Sequence, residues 1–397
     1  MKILHLTRDF GPPITGGIST AVTSLVMAVA NAPDARQLVI SFDAWRPAAA
    51  GAPAPLSIVD DGNLRIARAE SQAQLPAVRQ LVDEFAPDIV HLHDPLFEEL
   101  AFALRVPVVA QLHVYHHGMC ALLNLQQPTL SMLAEERMLA RAAAVVAPNP
   151  EVAAAAGAKW GIEVRTIVHG HDVWSECRPE MGPDHSENDV ALKSRDGSAA
   201  ETRLATRPAW LWTGRFSWLK GADRLVEIAA HWSAHFPGAA PARVIGGCPE
   251  NGRAERKWMR RLREVSGDNI DLPGWRPAYE VQQALRSGAP LVVTSRYETF
   301  GLGALDAVRS GAPLVISRAP GLVWLVNRIA ETFPDYPLWI VESSDDADAW
   351  VRAIDAAIAR GGGVQPAVLS AMLPSWAQVA SEWMSLYRET LKGVNRE

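Results

Sequence analysis

The apolar positions of this chain fall into two blocks with a polar stretch between them. In the first block, short apolar runs alternate with segments of helical period. "KILHLTR" (2–8) predicts a strand, "ISTAVTSLVMAVANA" (18–32) a helix, and "QLVISF" (37–42) the next strand. "LPAVRQLVDEF" (75–85) predicts a helix running into "PDIVHLH" (87–93). "VPVVAQLH" (106–113) and "AAAVVAPN" (142–149) are near-continuous apolar runs, as parallel strands covered on both faces require. This is the element order of an open α/β layer.

The stretch 175–208 is polar, mixed in charge and without period, so it reads as a linker or surface insertion. The alternation then restarts. "PAWLWTG" (208–214), "ARVIGG" (242–247), "NIDLPGW" (269–275), "APLVVTS" (289–295) and "APLVISR" (312–318) predict strands. "GADRLVEIAAHWSAHF" (221–236) predicts a helix, and "RKWMRRLREV" (256–265) an amphipathic one with Trp258, Leu262 and Val265 on one stripe. A last helix covers "PSWAQVASEWMSLYRETLKG" (374–393), where Trp376, Val379, Trp383 and Leu386 recur at helical steps and Pro374 and Ser375 suit the start. Two α/β layers place ligands beyond the carboxyl ends of their strands and in the cleft between the layers.

Composition narrows this picture only a little. The 397 residues suffice for two or three domains, and 48% hydrophobic with 21% charged residues is globular. A net charge of −6 gives no footprint for nucleic acid. Cys120, Cys177 and Cys248 lack paired spacing, which fits a reducing, cytoplasmic setting and gives no zinc signature. No signal-peptide core opens the chain, and no apolar window is long enough to predict a membrane span. Fourteen tryptophans suit either an aromatic-lined groove or large side chains in two cores.

Candidate chemistry gathers at strand ends. In "RDFGPPITGGIST" (8–20), Gly16 and Gly17 can bare backbone N–H groups before a helix start, although a plain tight turn explains them equally. In "TGRFSWLKGADRL" (213–225), Arg215 and Lys220 flank a turn into a helix. A cation there is unfavourable for the helix itself and becomes sensible with a diphosphate between the two. In "SRYETFGLGALDAVRSGAPLVIS" (295–317), Glu298 falls at the mouth of a loop and Asp306 about one turn into the helix after it. Gly301 and Gly303 allow a tight bend between them. A carboxylate beside amides suits a sugar nucleotide, with Glu298 on sugar hydroxyls, the amides of Thr299, Phe300, Gly301 and Leu302 on phosphate, and Asp306 on ribose. An acid near a helix start is also explained by the helix dipole alone. In "HLHDP" (91–95) and "QLHVYHH" (111–117), His113 ends a core strand and should point toward the cleft, while His91 and His93 support the loop. The histidine spacings match no strong metal site.

Together these segments resemble the retaining, nucleotide-sugar-dependent glycosyltransferases of the GT-B fold, family 4. "FGPPITGGI" (10–18) looks like the family's N-terminal glycine loop, and "PDIVHLHD" (87–94) and "VVAQLH" (108–113) like its landmark strands. "IVHGHDVW" (167–174) looks like its I-x-N-G-V-D segment with His169 at the asparagine position. "TGRFSWLKG" (213–221) is similar to its phosphate motif, and "ETFGLGALDA" (298–307) to its E-x7-E motif with the second acid shortened to Asp306. "SW" (375–376) and "LYR" (386–388) resemble its C-terminal crossing helix.

The resemblance implies an α/β fold of two Rossmann-like domains facing across a cleft: 1–175 for the acceptor and 208–373 for the donor, with 176–207 a linker and 374–397 a helix returning to the first domain. It implies that Arg215 and Lys220 bind the donor diphosphate, Glu298 holds the donor sugar, Asp306 meets ribose, His113 sits beside the transferred sugar, and Gly17 lies near the distal phosphate. The reaction implied is glycosyl transfer with retained configuration from a UDP-, GDP- or ADP-sugar, with no metal and no tightly bound cofactor required. A small soluble acceptor, such as a secondary metabolite, cyclitol or thiol precursor, is favoured because the 41–63 segment that could line the acceptor cleft holds no basic amphipathic helix of a membrane-surface enzyme, and the Arg-rich 253–263 helix has acids beside it and reads as a solvated face. A lipid or polysaccharide acceptor, an inverting relative, and a decayed nucleotide-sugar-binding protein are the competing readings. A NAD-dependent oxidoreductase lacks its G-x-G-x-x-G turn here. A homodimer is compatible with this reading.

Overall fold

The structure is a computed structural model that describes residues 1–11, 14, 16–42, 55–125, 127–172, 207–247, 253–342, 345–361 and 368–394. Most of the expected linker, and Cys177 and Cys248, lie outside the described residues. The chain divides into two compact units, Met1–Trp174 with Leu373–Glu397, and Ser175–Met372.

The first unit contains β1 (Lys2–Thr7), α1 (Gly17–Ala30), β2 (Arg36–Ser41), β3 (Ser57–Asp61), β4 (Leu64–Arg68), α2 (Leu75–Phe85), β5 (Ile89–Leu92), α3 (Glu98–Ala103) and β6 (Val108–Gln111). It continues with α4 (His116–Leu122), α5 (Leu130–Arg141), β7 (Ala144–Ala147), α6 (Pro150–Trp160) and β8 (Val164–Thr166). The second unit contains β9 (Leu211–Gly214), α7 (Ala222–His235), β10 (Ala242–Gly246), α8 (Arg253–Ser266), β11 (Ile270–Asp271), α9 (Ala278–Leu285) and β12 (Leu291–Val293). It continues with α10 (Leu302–Ser310), β13 (Leu314–Ser317), α11 (Val323–Thr332), β14 (Leu338–Val341) and α12 (Ala347–Ala359). The final helix α13 (Trp376–Val394) belongs to the first unit.

The first sheet runs β3-β4-β2-β1-β5-β6-β7-β8 and the second β11-β10-β9-β12-β13-β14. Every described pairing is parallel except β3 with β4, an edge hairpin turned at Gly62. In each sheet the strand order reverses beside a central strand, between β1 and β5 in the first and between β9 and β12 in the second. Crevices at such reversals are where open α/β sheets take ligands.

Side chains alternate across β1, and each face has its own core. Leu4 and Leu6 join Leu38, Ile40, Val90 and Leu92 on one face. Ile3 joins Ile89, Val109 and Val146 on the other, beneath α1 and α13. Helix α13 covers that second face with Trp376, Val379, Trp383 and Tyr387, all buried. Its start is a capping box: Gln378 N–H donates to Ser375 Oγ at 3.3 Å and Ser375 N–H to Gln378 Oε1 at 2.8 Å. The crossing of this helix to the first unit, which its period leaves undecided, is thus settled by where its apolar stripe is buried.

In the second unit Trp210, Trp212, Trp232 and Trp350 are buried in one core, which supports the core reading of the tryptophans. Leu262 on α8 is fully buried, but Val265 is 39% exposed, so the expected stripe is narrower. The segment expected as a strand over 269–275 forms only Ile270–Asp271. No helix among the described residues is long and apolar enough to cross a membrane.

Candidate functional site

In the second unit, the loops after β9 and β12 flank the reversal of strand order and are stitched together. Arg296 N–H donates to Leu219 O at 2.7 Å, and Thr294 Oγ1 donates to Lys220 O at 2.7 Å. The Arg296 guanidinium donates to both Asp223 carboxylate oxygens, at 2.6 and 2.8 Å, and lies 4.3 Å from the Trp218 ring centroid. This close approach needs Gly221: its φ is +72°, and a Cβ there would meet Thr294 O at 2.2 Å.

These loops pair Lys220 with Glu298, one expected basic group with one expected acid. Arg215 follows β9 directly and is exposed. Lys220 Nζ donates to Glu298 Oε1 at 2.5 Å, and Ser295 Oγ donates to the same oxygen at 2.8 Å. Thr299 and buried Phe300 lead into Gly301, the N-cap of α10 at φ +91°, which has no side chain to accept from the first-turn amides. Leu302 opens α10, and Gly303 sits inside the helix, so only Gly301 makes the bend expected of both glycines. Asp306 is the fifth residue of α10 and accepts from Arg309 Nη2 at 2.7 Å.

In the first unit, Gly16 has extended φ and Gly17 begins α1. The Gly16 N–H is already donated to Ser19 Oγ at 3.0 Å, which corrects the expectation that it stands bare for an anion. His113 lies two residues beyond β6 and does not end the strand, since its N–H turns back to Gln111 O at 3.1 Å. His91 lies within β5 and His93 directly after it, both buried on the sheet face that α13 covers, so they are not loop supports.

The histidines form a connected, buried group. His5 pairs with His91 in the β1–β5 register. His5 Nε2 is 3.1 Å from Gln37 Oε1, His5 Nδ1 is 3.1 Å from His93 Nε2, and His93 Nδ1 is 2.9 Å from His113 Nε2. His91 Nδ1 is 2.7 Å from the Tyr387 hydroxyl of α13. His113 stacks toward His169 with ring centroids 6.1 Å apart, and His169 toward Trp376 at 5.7 Å. Burial lowers the pKa of His5 to about 4, and of His113 and His169 to about 3; the neighbouring His169 adds to the fall at His113. Burial also lowers His91 and His93 and raises the Tyr387 phenol. These rings are neutral at neutral pH.

One nitrogen from each of His5, His91 and His93 lies within 4.8 Å of the others, a spacing a metal ion can use. The rings argue otherwise. Imidazoles on one tetrahedral ion, with Zn–N near 2.0–2.1 Å, hold their centroids about 5 Å apart. Those of His91 and His93 are 3.8 Å apart.

His5 and Gln37 were out of reach of motif reading, and Tyr387 was read only as part of the crossing helix. A histidine inside an apolar strand carries no signal until the register of strands far apart in sequence is known. Arg8, His93, Asp94, Gln111, His113 and His116 line a small pocket at the carboxyl ends of β1, β5 and β6.

A model of the family 4 glycosyltransferases in conflict systems matches residues 8–371. No curated protein matches the chain. Solved structures share the fold. Sucrose-phosphate synthase from Thermosynechococcus elongatus matches with a TM-score of 0.70 at 19% identity, over 99% of this chain and 100% of that one. The UDP-forming α,α-trehalose-phosphate synthase from Burkholderia xenovorans, solved with glucose-6-phosphate, matches with 0.68 at 13% identity, over 99% and 100%. HepE from Anabaena, solved with UDP and glucose, matches with 0.63 at 16% identity, over 98% and 99%. At these identities the likeness establishes the fold, GT-B.

Proposed function

Because the chain belongs to the family 4 glycosyltransferases in conflict systems, we propose that it transfers a glycosyl group from a nucleoside diphosphate sugar to a small soluble acceptor with retention of configuration. The observation that carries this is the Lys220–Glu298 ion pair, which joins the loops after β9 and β12 three residues before the Gly301 cap of α10, where the second sheet reverses its strand order.

In this reading Arg215, Lys220 and the amides of 300–302 take the diphosphate, Glu298 takes sugar hydroxyls, and Asp306 takes the ribose. His113 takes a sugar hydroxyl, and Gly17 lies near the distal phosphate. Lys220 and Glu298 pair with each other, so an entering donor exchanges that ion pair for a phosphate on the lysine and hydroxyls on the carboxylate. As the bond between the anomeric carbon and the diphosphate oxygen breaks, negative charge grows on phosphate. Arg215 and Lys220 stabilise it more in the transition state than before it. The acceptor hydroxyl attacks the same face, forms the new glycosidic bond, and gives its proton to the departing diphosphate oxygen. This route needs neither a protein base nor a metal.

The UDP of HepE and the sugar-phosphate products of the synthases support a UDP-sugar donor and a polar acceptor as the first candidates to assay. NMR of the product's anomeric centre tests the stereochemistry: retention agrees with the proposal, and inversion rejects it.

A further inference from the structure

We propose that Gln37 sets the ring tautomer of His113 through His5 and His93, so that His113 presents Nδ1 to the first unit's pocket as an acceptor for a ligand hydroxyl. The hydroxyl rests on the reading of His113 given above; the relay does not.

The direction of the chain follows from its far end. Gln37, on β2 and 1% exposed, donates from Nε2 to Val26 O at 3.0 Å. That fixes the amide, because the flipped form would set its oxygen against the Val26 carbonyl. Gln37 Oε1 therefore faces His5 Nε2 at 3.1 Å, and an amide oxygen only accepts. So His5 carries its proton on Nε2 and a lone pair on Nδ1. His93 Nε2, at 3.1 Å, donates into that lone pair, which leaves His93 a lone pair on Nδ1. His113 Nε2 donates into that one at 2.9 Å. The nitrogen left over is His113 Nδ1, which can accept and cannot donate. The reverse order would set two acceptors face to face at Gln37. Burial, which keeps all three rings neutral, leaves each with one proton to place. His113 lines the pocket with Arg8, Asp94 and His116, so the outcome is delivered where a ligand can meet it.

Gln37, His5 and His93 are positioning residues in this scheme, and tautomers can be read without any substrate. Long-range proton–nitrogen NMR of the full chain, labelled with nitrogen-15 histidine, distinguishes the two neutral forms at neutral pH. His5, His93 and His113 are each expected as the Nε2–H form. In Gln37→Leu, His113 is expected to move to the Nδ1–H form or to a mixture of the two. His113 as Nδ1–H in the wild type overturns the relay, as do nitrogen shifts showing a bound ion on these rings. So does an unchanged His113 in a Gln37→Leu protein with wild-type circular dichroism. The wild-type spectrum alone decides the direction if a variant does not fold. Donor kinetics separate the ligand: a roughly tenfold fall in kcat/KM in Gln37→Leu supports the hydroxyl contact, about one hydrogen bond's worth. Unchanged kinetics beside a changed tautomer overturn that contact and leave the relay standing.

Discussion

Glu298 and Lys220 share one short ion pair, and Ser295 adds a second donor to the same carboxylate oxygen. The pair holds the two groups in place across the loops after β9 and β12, which is the preorganisation a transition-state site needs. Arg215→Ala and Glu298→Ala should each lower turnover by roughly a hundredfold or more while far-UV circular dichroism stays unchanged. Steady-state rates near wild type in both would sink the assignment. Asp306 is a different case. Its carboxylate is engaged by Arg309 at 2.7 Å, and its side chain is a methylene shorter than the family's glutamate. Asp306→Ala should therefore raise the donor KM several-fold with kcat nearly kept, the mark of lost uniform binding. An equal loss in kcat would place Asp306 in the chemistry instead. The acids and bases of this loop were legible because each stands at a fixed offset from a strand end. The Arg309 partner was not, because a helical ion pair looks the same whether or not it faces a ligand.

At the scale of elements, the turn at Gly321 supports the Glu298 segment from below. Its φ is +80°, a Cβ there would lie 1.6 Å from Glu298 O, and Glu298 N–H donates to Pro320 O at 3.1 Å. Gly321→Ala should displace the loop and lower turnover more than it lowers helix content, which paired rate and dichroism measurements check. Helix α13 is tied to the first sheet by Tyr387 on His91. Tyr387→Phe leaves a buried ring nitrogen without its partner and should cost about 1–3 kcal/mol, seen as a fall of several degrees in Tm. A Tm equal to wild type would show that the bond contributes nothing net. Helices α1, α2, α7, α8 and α13 and strands β1, β2, β5, β6, β7, β9, β10, β12 and β13 were readable because their apolar patterns are strong. Strand β3 was not: all five of its residues are exposed, so it has no buried face to leave a pattern. Helix α12 did leave a signal, an Asp346 N-cap ahead of buried Trp350, Val351, Ile354 and Ala357, and it would have been found by looking for that cap.

For the whole molecule, the buried histidines tie stability to pH. His5, His113 and His169 have folded pKa values of about 4, 3 and 3, below the unfolded value near 6.5. Between those limits the unfolded chain binds protons that the folded chain refuses. Stability is therefore complete above about pH 7 and is lost as pH falls through 6 toward 4, on the order of 1–2 kcal/mol per ring by pH 5. Thermal melts across that range should show Tm falling with acid, and a flat profile would contradict the burial of these rings as neutral groups. The two-unit α/β architecture was legible because each unit repeats the same alternation of strand and helix. The histidine face was not, because it is assembled by β1, β5 and α13, which only the fold brings together. The central claim, that the second unit holds a nucleoside diphosphate, is tested most directly by thermal shift with UDP, GDP and ADP on the wild type and on Arg215→Ala. At least one nucleotide should raise the wild-type Tm, and the shift should vanish in the variant; stabilisation by none of the three, or equal stabilisation of both proteins, would contradict it.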